Sequence, residues 1–139
     1  MKRFFVRTAA SILAAVSLYV TPAGAISAQK AIVLDAATGR VLYEKRSDEK
    51  SLIASTTKIM TALVALENCE LDRVVKITED AVGIEGSSIY LKAGDEYYMK
   101  DLIYALLLQS ANDAAAAIAI EVGGSIEGFS SMMNEKAFS

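Results

Sequence analysis

The chain has 139 residues, 53% of them hydrophobic and 22% charged, a formal net charge of −3, no histidine and one cysteine. This balance belongs to a globular chain and not a disordered one, and its acidic excess gives no support to nucleic-acid binding. A Ser-His-Asp arrangement is excluded by the missing imidazole, and an intramolecular disulfide by the single thiol.

Residues 1–25 read as a secretory signal peptide. Lys2, Arg3 and Arg7 form a basic start, Thr8 to Val20 an apolar run, and Thr21-Pro22-Ala23-Gly24-Ala25 a small-residue cleavage pattern. The run is too short for a membrane span, so the mature chain is expected to be exported to the cell envelope without one. Taking the three leader cations from a net charge of −3 leaves −6 on residues 26–139.

Ala31-Ile32-Val33-Leu34 and Arg40-Val41-Leu42-Tyr43 bracket Asp35 to Gly39 and predict a β-hairpin. Glu44 to Lys50 is a charged run expected as a solvated loop. Weaker strand candidates follow at Val74 to Ile77 and Ile89 to Leu91. A lone two-stranded hairpin is marginal in water, so more strands or a covering helix are needed.

Ser55-Thr56-Thr57-Lys58 opens an apolar stretch, Ile59 to Leu66, that predicts a helix buried on most sides. Residues three apart on a helix have Cβ atoms about 5–6 Å from one another, so the Lys58 amine can reach the Ser55 hydroxyl and take its proton. A serine nucleophile needs such a base. A lysine serves as one only where its ammonium is disfavoured, and both burial and a helix N-terminus act in that direction. Ser-x-x-Lys also occurs at Ser27 to Lys30, beside the leader, and at Ser47 to Lys50, in the charged run. Those two copies read as incidental, and at Ser55 itself the bland alternative is an N-cap serine with a surface lysine.

The apolar helix closes at Asn68-Cys69-Glu70. Glu67 and Glu70 disfavour a Cys69 thiolate, which makes a catalytic role for Cys69 a poor reading. No metal-ligand or cofactor-binding pattern is visible. Glu79-Asp80 and Asp95-Glu96 read as solvated turns rather than as a glycosidase pair. Tyr97-Tyr98-Met99, Phe129, Met132 and Met133 read as core.

Asp101 to Leu108 and Asp113 to Glu121 predict two helices, the second stopping at Gly123-Gly124, with Gln109 to Asn112 as a tight connection. Polar residues on such a connection, here Ser110 and Asn112, can point into a cleft. On this stretch alone the bland reading, a cap for the following helix, comes first.

Taken together, Ser55-Thr56-Thr57-Lys58-Ile59-Met60-Thr61-Ala62, Gly86-Ser87-Ser88-Ile89-Tyr90-Leu91 and Ser110-Ala111-Asn112-Asp113-Ala114-Ala115 resemble the low-molecular-mass penicillin-binding proteins, the serine D-alanyl-D-alanine carboxypeptidases of peptidase family S11. The resemblance runs from about Lys30 to Ser139. It implies a mixed α/β (α+β) fold of the β-lactamase/penicillin-binding transpeptidase type. It also implies an acyl-enzyme on Ser55, with Lys58 as general base, Ser110 as proton relay and Asn112 as a substrate-binding residue. The implied partners are peptidoglycan stem peptides ending in D-Ala-D-Ala and, as covalent inhibitors, β-lactam antibiotics.

One departure stands out. The family's third motif, Lys-Thr-Gly on a strand beside the nucleophile, is absent, and Lys92-Ala93-Gly94 precedes Ser110 and reads as a turn. The expectation is therefore an N-terminal portion of a catalytic domain, residues 26–139, whose C-terminal strands are missing. Two other functions fit the same residues. A β-lactamase-like hydrolase would need a deacylating base that the sequence does not reveal, and an inactive exported remnant would bind cell-wall peptide without turning it over.

Overall fold

Ala31–Leu34 (β1) and Val41–Lys45 (β2) pair antiparallel, with Ala31 opposite Lys45 and Val33 opposite Tyr43. The computed structural model describes residues 26–139, so the leader read in residues 1–25 lies outside the described residues. The described residues fall into two units, residues 26–51 and 52–139.

In the first unit the hairpin turn is built by Asp35. Its carboxylate accepts from Thr38 N–H at 2.8 Å and from the Thr38 hydroxyl at 2.7 Å, while Gly39, at φ +70°, donates its N–H to the Asp35 carbonyl. Asx turns of this kind hold the backbone in place of a ladder bond. The two incidental Ser-x-x-Lys copies are accounted for structurally. Lys30 Nζ donates to the carbonyls of Glu49 and Lys50, and the Ser47 hydroxyl donates to Glu44.

The second unit begins with a 3₁₀ turn, Ala54–Thr56, that runs into helix α1, Thr57–Asn68. Val74–Lys76 (β3) pairs antiparallel with Glu96–Tyr98 (β4), setting Lys76 opposite Glu96 and Val75 opposite Tyr97. Helices α2 (Met99–Leu108), α3 (Asn112–Gly123) and α4 (Ile126–Ala137) follow. Helix α3 packs against α1, α2 and α4. Its buried apolar residues, Ala114, Ala116, Ala117, Ile118 and Ala119, are mostly alanines, and small side chains let neighbouring helix backbones approach closely. Around it sit Val64, Ala65, Leu102, Leu106 and Phe129, all buried.

The close contact of α3 with α4 depends on two glycines. A Cβ on Gly123 would overlap the Phe129 backbone, and one on Gly128 would overlap the Gly123 carbonyl. Between them Gly124 takes the left-handed conformation that ends α3, and Ser125 caps α4 by accepting the Gly128 N–H at 3.0 Å.

Three expectations need correction, and one helix had no sequence expectation. Ile89 to Leu91 is not a strand, because the N–H groups of Ile89 and Leu91 go to the Asp113 carboxylate and Tyr90 stands at φ +60°. Asp95-Glu96 is not simply a turn, since Glu96 starts β4 and faces Lys76 across the ladder. Helix α4 was unforeseen. Helix α1 is also less enclosed than its composition implies. Thr61, Ala62, Val64 and Ala65 are buried, but Ile59 is 67% exposed and Leu66 50%, so its apolar residues do not all face the core of this unit.

Candidate active site

Ser55 sits in the 3₁₀ turn just ahead of α1, Lys58 on the first turn of that helix, and Ser110 and Asn112 at the connection that leads into α3. The connection is held from inside. Ala111 is fully buried and donates its N–H to the Ala105 carbonyl, so the residues on either side of it project the other way, toward α1.

Lys58 Nζ lies 2.9 Å from Ser110 Oγ and 2.6 Å from Asn112 Oδ1. Ser110 Oγ in turn lies 2.9 Å from Ser55 Oγ. The four sequence-predicted residues are thus brought together, with one revision to the expected geometry. Lys58 reaches Ser55 through the Ser110 hydroxyl and makes no direct hydrogen bond to it. Lys58 is half-buried rather than enclosed, and Ser55 is exposed. They border a cleft of about 380 Å³ lined by Ser55, Thr57, Lys58, Thr61, Asn112 and Ala115.

Two backbone features mark the same spot. Ala54, immediately before Ser55, has φ +48°, and Ser110 has φ +55°. Each non-glycine residue held there costs on the order of 1–3 kcal/mol, and such strain collects where a side chain must be aimed. Here it aims the two hydroxyls at each other.

Residues that the sequence left without a role complete the site. Asn112 Nδ2 donates to the Glu85 carbonyl at 2.6 Å, and Asn112 N–H to the Ser87 carbonyl at 2.7 Å. A backbone carbonyl can only accept, so Glu85 takes the Nδ2 end of the amide and leaves Oδ1 to accept from Lys58 Nζ. Gly86 lies against that amide with φ +95°, and a Cβ there would come within 2.6 Å of Asn112 Nδ2.

Asp113 is 1% exposed. Its carboxylate accepts from the Ser88 hydroxyl at 2.6 Å, and from the N–H groups of Ile89, Leu91 and Ala114 at 3.2, 3.0 and 2.9 Å. Burial pushes its pKa up, but these hydrogen bonds, led by that of Ser88, more than offset it and hold the carboxyl below its ordinary range. Only the periodicity of α3 could have flagged this residue, as an acid on an otherwise apolar helix face.

Cys69 stands apart from the cleft. Burial, then the charge of Glu121, pushes its thiol pKa up, against the opposing pull of Arg73. Among the described residues no group of three or more His, Cys, Asp or Glu side chains is arranged to hold a metal ion, and no helix is long and apolar enough to cross a membrane.

Residues 17–139 match the D-alanyl-D-alanine carboxypeptidase family, peptidase S11. The chain is 37% identical over 115 residues to D-alanyl-D-alanine carboxypeptidase DacF of Bacillus subtilis, covering 79% of this chain and 30% of that protein. With DacC of Escherichia coli it shares 38% identity over 123 residues, 81% of this chain and 31% of the relative. Among solved structures, the D-alanyl-D-alanine carboxypeptidase DacD of Francisella tularensis superposes with a TM-score of 0.75 at 35% identity, over 85% of this chain and 30% of that one. The chain therefore spans under a third of the length of these relatives and shares their mixed helix and strand fold over that part. It belongs to the peptidase S11 family of D-alanyl-D-alanine carboxypeptidases.

Proposed function

We propose that this chain carries the acylating serine site of an exported D-alanyl-D-alanine carboxypeptidase, acting on peptidoglycan stem peptides that end in D-Ala-D-Ala. The observation that carries this reading is the hydrogen-bonded series Ser55, Ser110, Lys58, Asn112 in a member of this family.

The series supports the following chemistry. Ser55 Oγ attacks the carbonyl between the two D-alanines. Its proton passes to Ser110 Oγ as Ser110 gives its own to the lone pair of the Lys58 amine, a two-step transfer that both 2.9 Å separations allow. The C–N bond then breaks, and Lys58 returns the proton through Ser110 to the departing D-alanine amine. An ester on Ser55 remains, which water cleaves to the shortened peptide. Backbone N–H groups at the start of α1 favour negative charge developing near Ser55. Asn112 is the candidate for holding the peptide while its Oδ1 positions the Lys58 amine. A β-lactam would acylate Ser55 in the same way. Export and an envelope location are supported by the tripartite pattern of residues 1–25 and by the relatives' substrates as their names give them.

The test is release of free D-alanine from a peptide ending in D-alanyl-D-alanine. The expected result is release by the wild-type chain and none by Ser55→Ala. A folded wild-type chain that forms neither free D-alanine nor a peptidyl ester on Ser55 detectable by mass spectrometry would contradict the reading.

A further inference from the structure

Asp113 has no part in the proton path, yet it is the buried polar residue nearest to it in sequence. It lies at the second position of α3, directly after Asn112. Its carboxylate ties that helix start to the 85–91 loop through Ser88, Ile89 and Leu91. At the other end of the same loop, the carbonyls of Glu85 and Ser87 hold the side-chain and backbone N–H groups of Asn112. Gly86 fits between them only because it lacks a Cβ. The loop also contains Tyr90 at φ +60°, a conformation that costs free energy and is retained because Tyr90 N–H donates to the same Ser88 hydroxyl at 2.9 Å.

We infer that Asp113 is a positioning residue for acylation: by clamping the 85–91 loop to the start of α3 it sets the Glu85 carbonyl that orients the Asn112 amide, and through Asn112 the Lys58 amine. Without the carboxylate, three donors of the loop lose their common acceptor. The Glu85 carbonyl is then free to drift from Asn112 Nδ2, and the amide can turn away from Lys58. This inference rests on the acyl-enzyme reading above, but part of its test does not.

The experiment uses the full chain with Asp113→Asn, which keeps the shape and removes the charge. Two quantities are read. The first is hydrogen exchange of the Asn112 side-chain NH₂ group by NMR on ¹⁵N-labelled protein, which needs no chemistry at Ser55. The second is the rate of covalent labelling by a fluorescent penicillin. The expected result is at least about tenfold faster exchange of the Asn112 amide, and labelling slowed on the order of 10- to 100-fold as the reacting groups lose alignment, with noncovalent affinity for the penicillin little changed. Ser88→Ala, which keeps the charge, shifts both in the same direction by less. Val75→Ala, a buried strand substitution outside the cleft, serves as the control for lost stability alone and moves neither. Unchanged Asn112 exchange in folded Asp113→Asn and Ser88→Ala would overturn the inference. So would equal changes in Val75→Ala at a matched melting temperature. A wild-type chain that takes no label contradicts the acyl-enzyme reading instead, and Asn112 exchange still decides whether the clamp exists.

Discussion

At the residue scale the site is a short hydrogen-bonded path, and each member has a distinct failure. Ser110→Ala removes the hydroxyl that bridges Lys58 and Ser55. Its labelling by penicillin should fall by about 10²–10⁴, the range expected for loss of acid–base assistance, without loss of fold. Lys58→Arg replaces the proton-accepting amine with a group that stays protonated, so stopped labelling with a preserved far-ultraviolet spectrum is the expected outcome. Gly86→Ala sets a methyl against Asn112 Nδ2 at a positive φ. We expect a stability loss of about 1–2 kcal/mol in urea titration from the backbone alone, and a larger proportional loss of labelling than that figure explains. Asp113 gives the site a pH signature. Its folded pKa is depressed, so between that value and the ordinary one of about 4 the unfolded chain binds the extra proton. The stability it contributes is full above about pH 5 and fades as pH falls through the lowered pKa. Wild type should therefore exceed Asp113→Asn in stability by a constant margin near neutrality, and the two urea midpoints should converge under acid.

At the scale of elements, the junction between α3 and α4 carries a direct prediction. Ser125→Ala deletes the cap on the Gly128 N–H and should cost about 1 kcal/mol in urea titration, whereas Gly123→Ala, which forces a methyl into the Phe129 backbone, should cost more. The same region shows what a sequence can and cannot disclose. The β1–β2 hairpin was legible because two apolar runs flank Asp35 and Gly39, residues whose turn chemistry is local. The ends of α2 and α3 were legible because Gly123-Gly124 and the polar Gln109 to Asn112 stretch punctuate them. Helix α4 was not, since Gly128, Ser130 and Ser131 dilute its apolar period, although Ser125 was a usable start signal. β4 was hidden for another reason. Its three residues become a strand only by pairing with Val74–Lys76 across a gap of some twenty residues. Conversely, Ile89 to Leu91 has the composition of a strand, but its donors are taken by a carboxylate that is distant in sequence. At the site, that Ser55, Lys58, Ser110 and Asn112 lie together was legible, and their connectivity was not. Helical spacing favoured direct contact between Lys58 and Ser55, but the left-handed turn at Ser110 inserts its hydroxyl between them.

At the scale of the whole molecule, the unit formed by residues 52–139 holds all four members of the hydrogen-bonded series and the loop that supports them. The chain spans under a third of the B. subtilis, E. coli and F. tularensis relatives with which it was compared. Under the proposed function, acylation is the step that needs the nucleophile and its proton acceptor, so it is the direct probe of this site. Incubating the folded wild-type chain with a fluorescent penicillin and resolving it under denaturing conditions provides that probe. The account predicts a covalent band that persists after denaturation and disappears in Ser55→Ala. Absence of a band from a folded sample, or a band that survives the Ser55→Ala substitution, would contradict it.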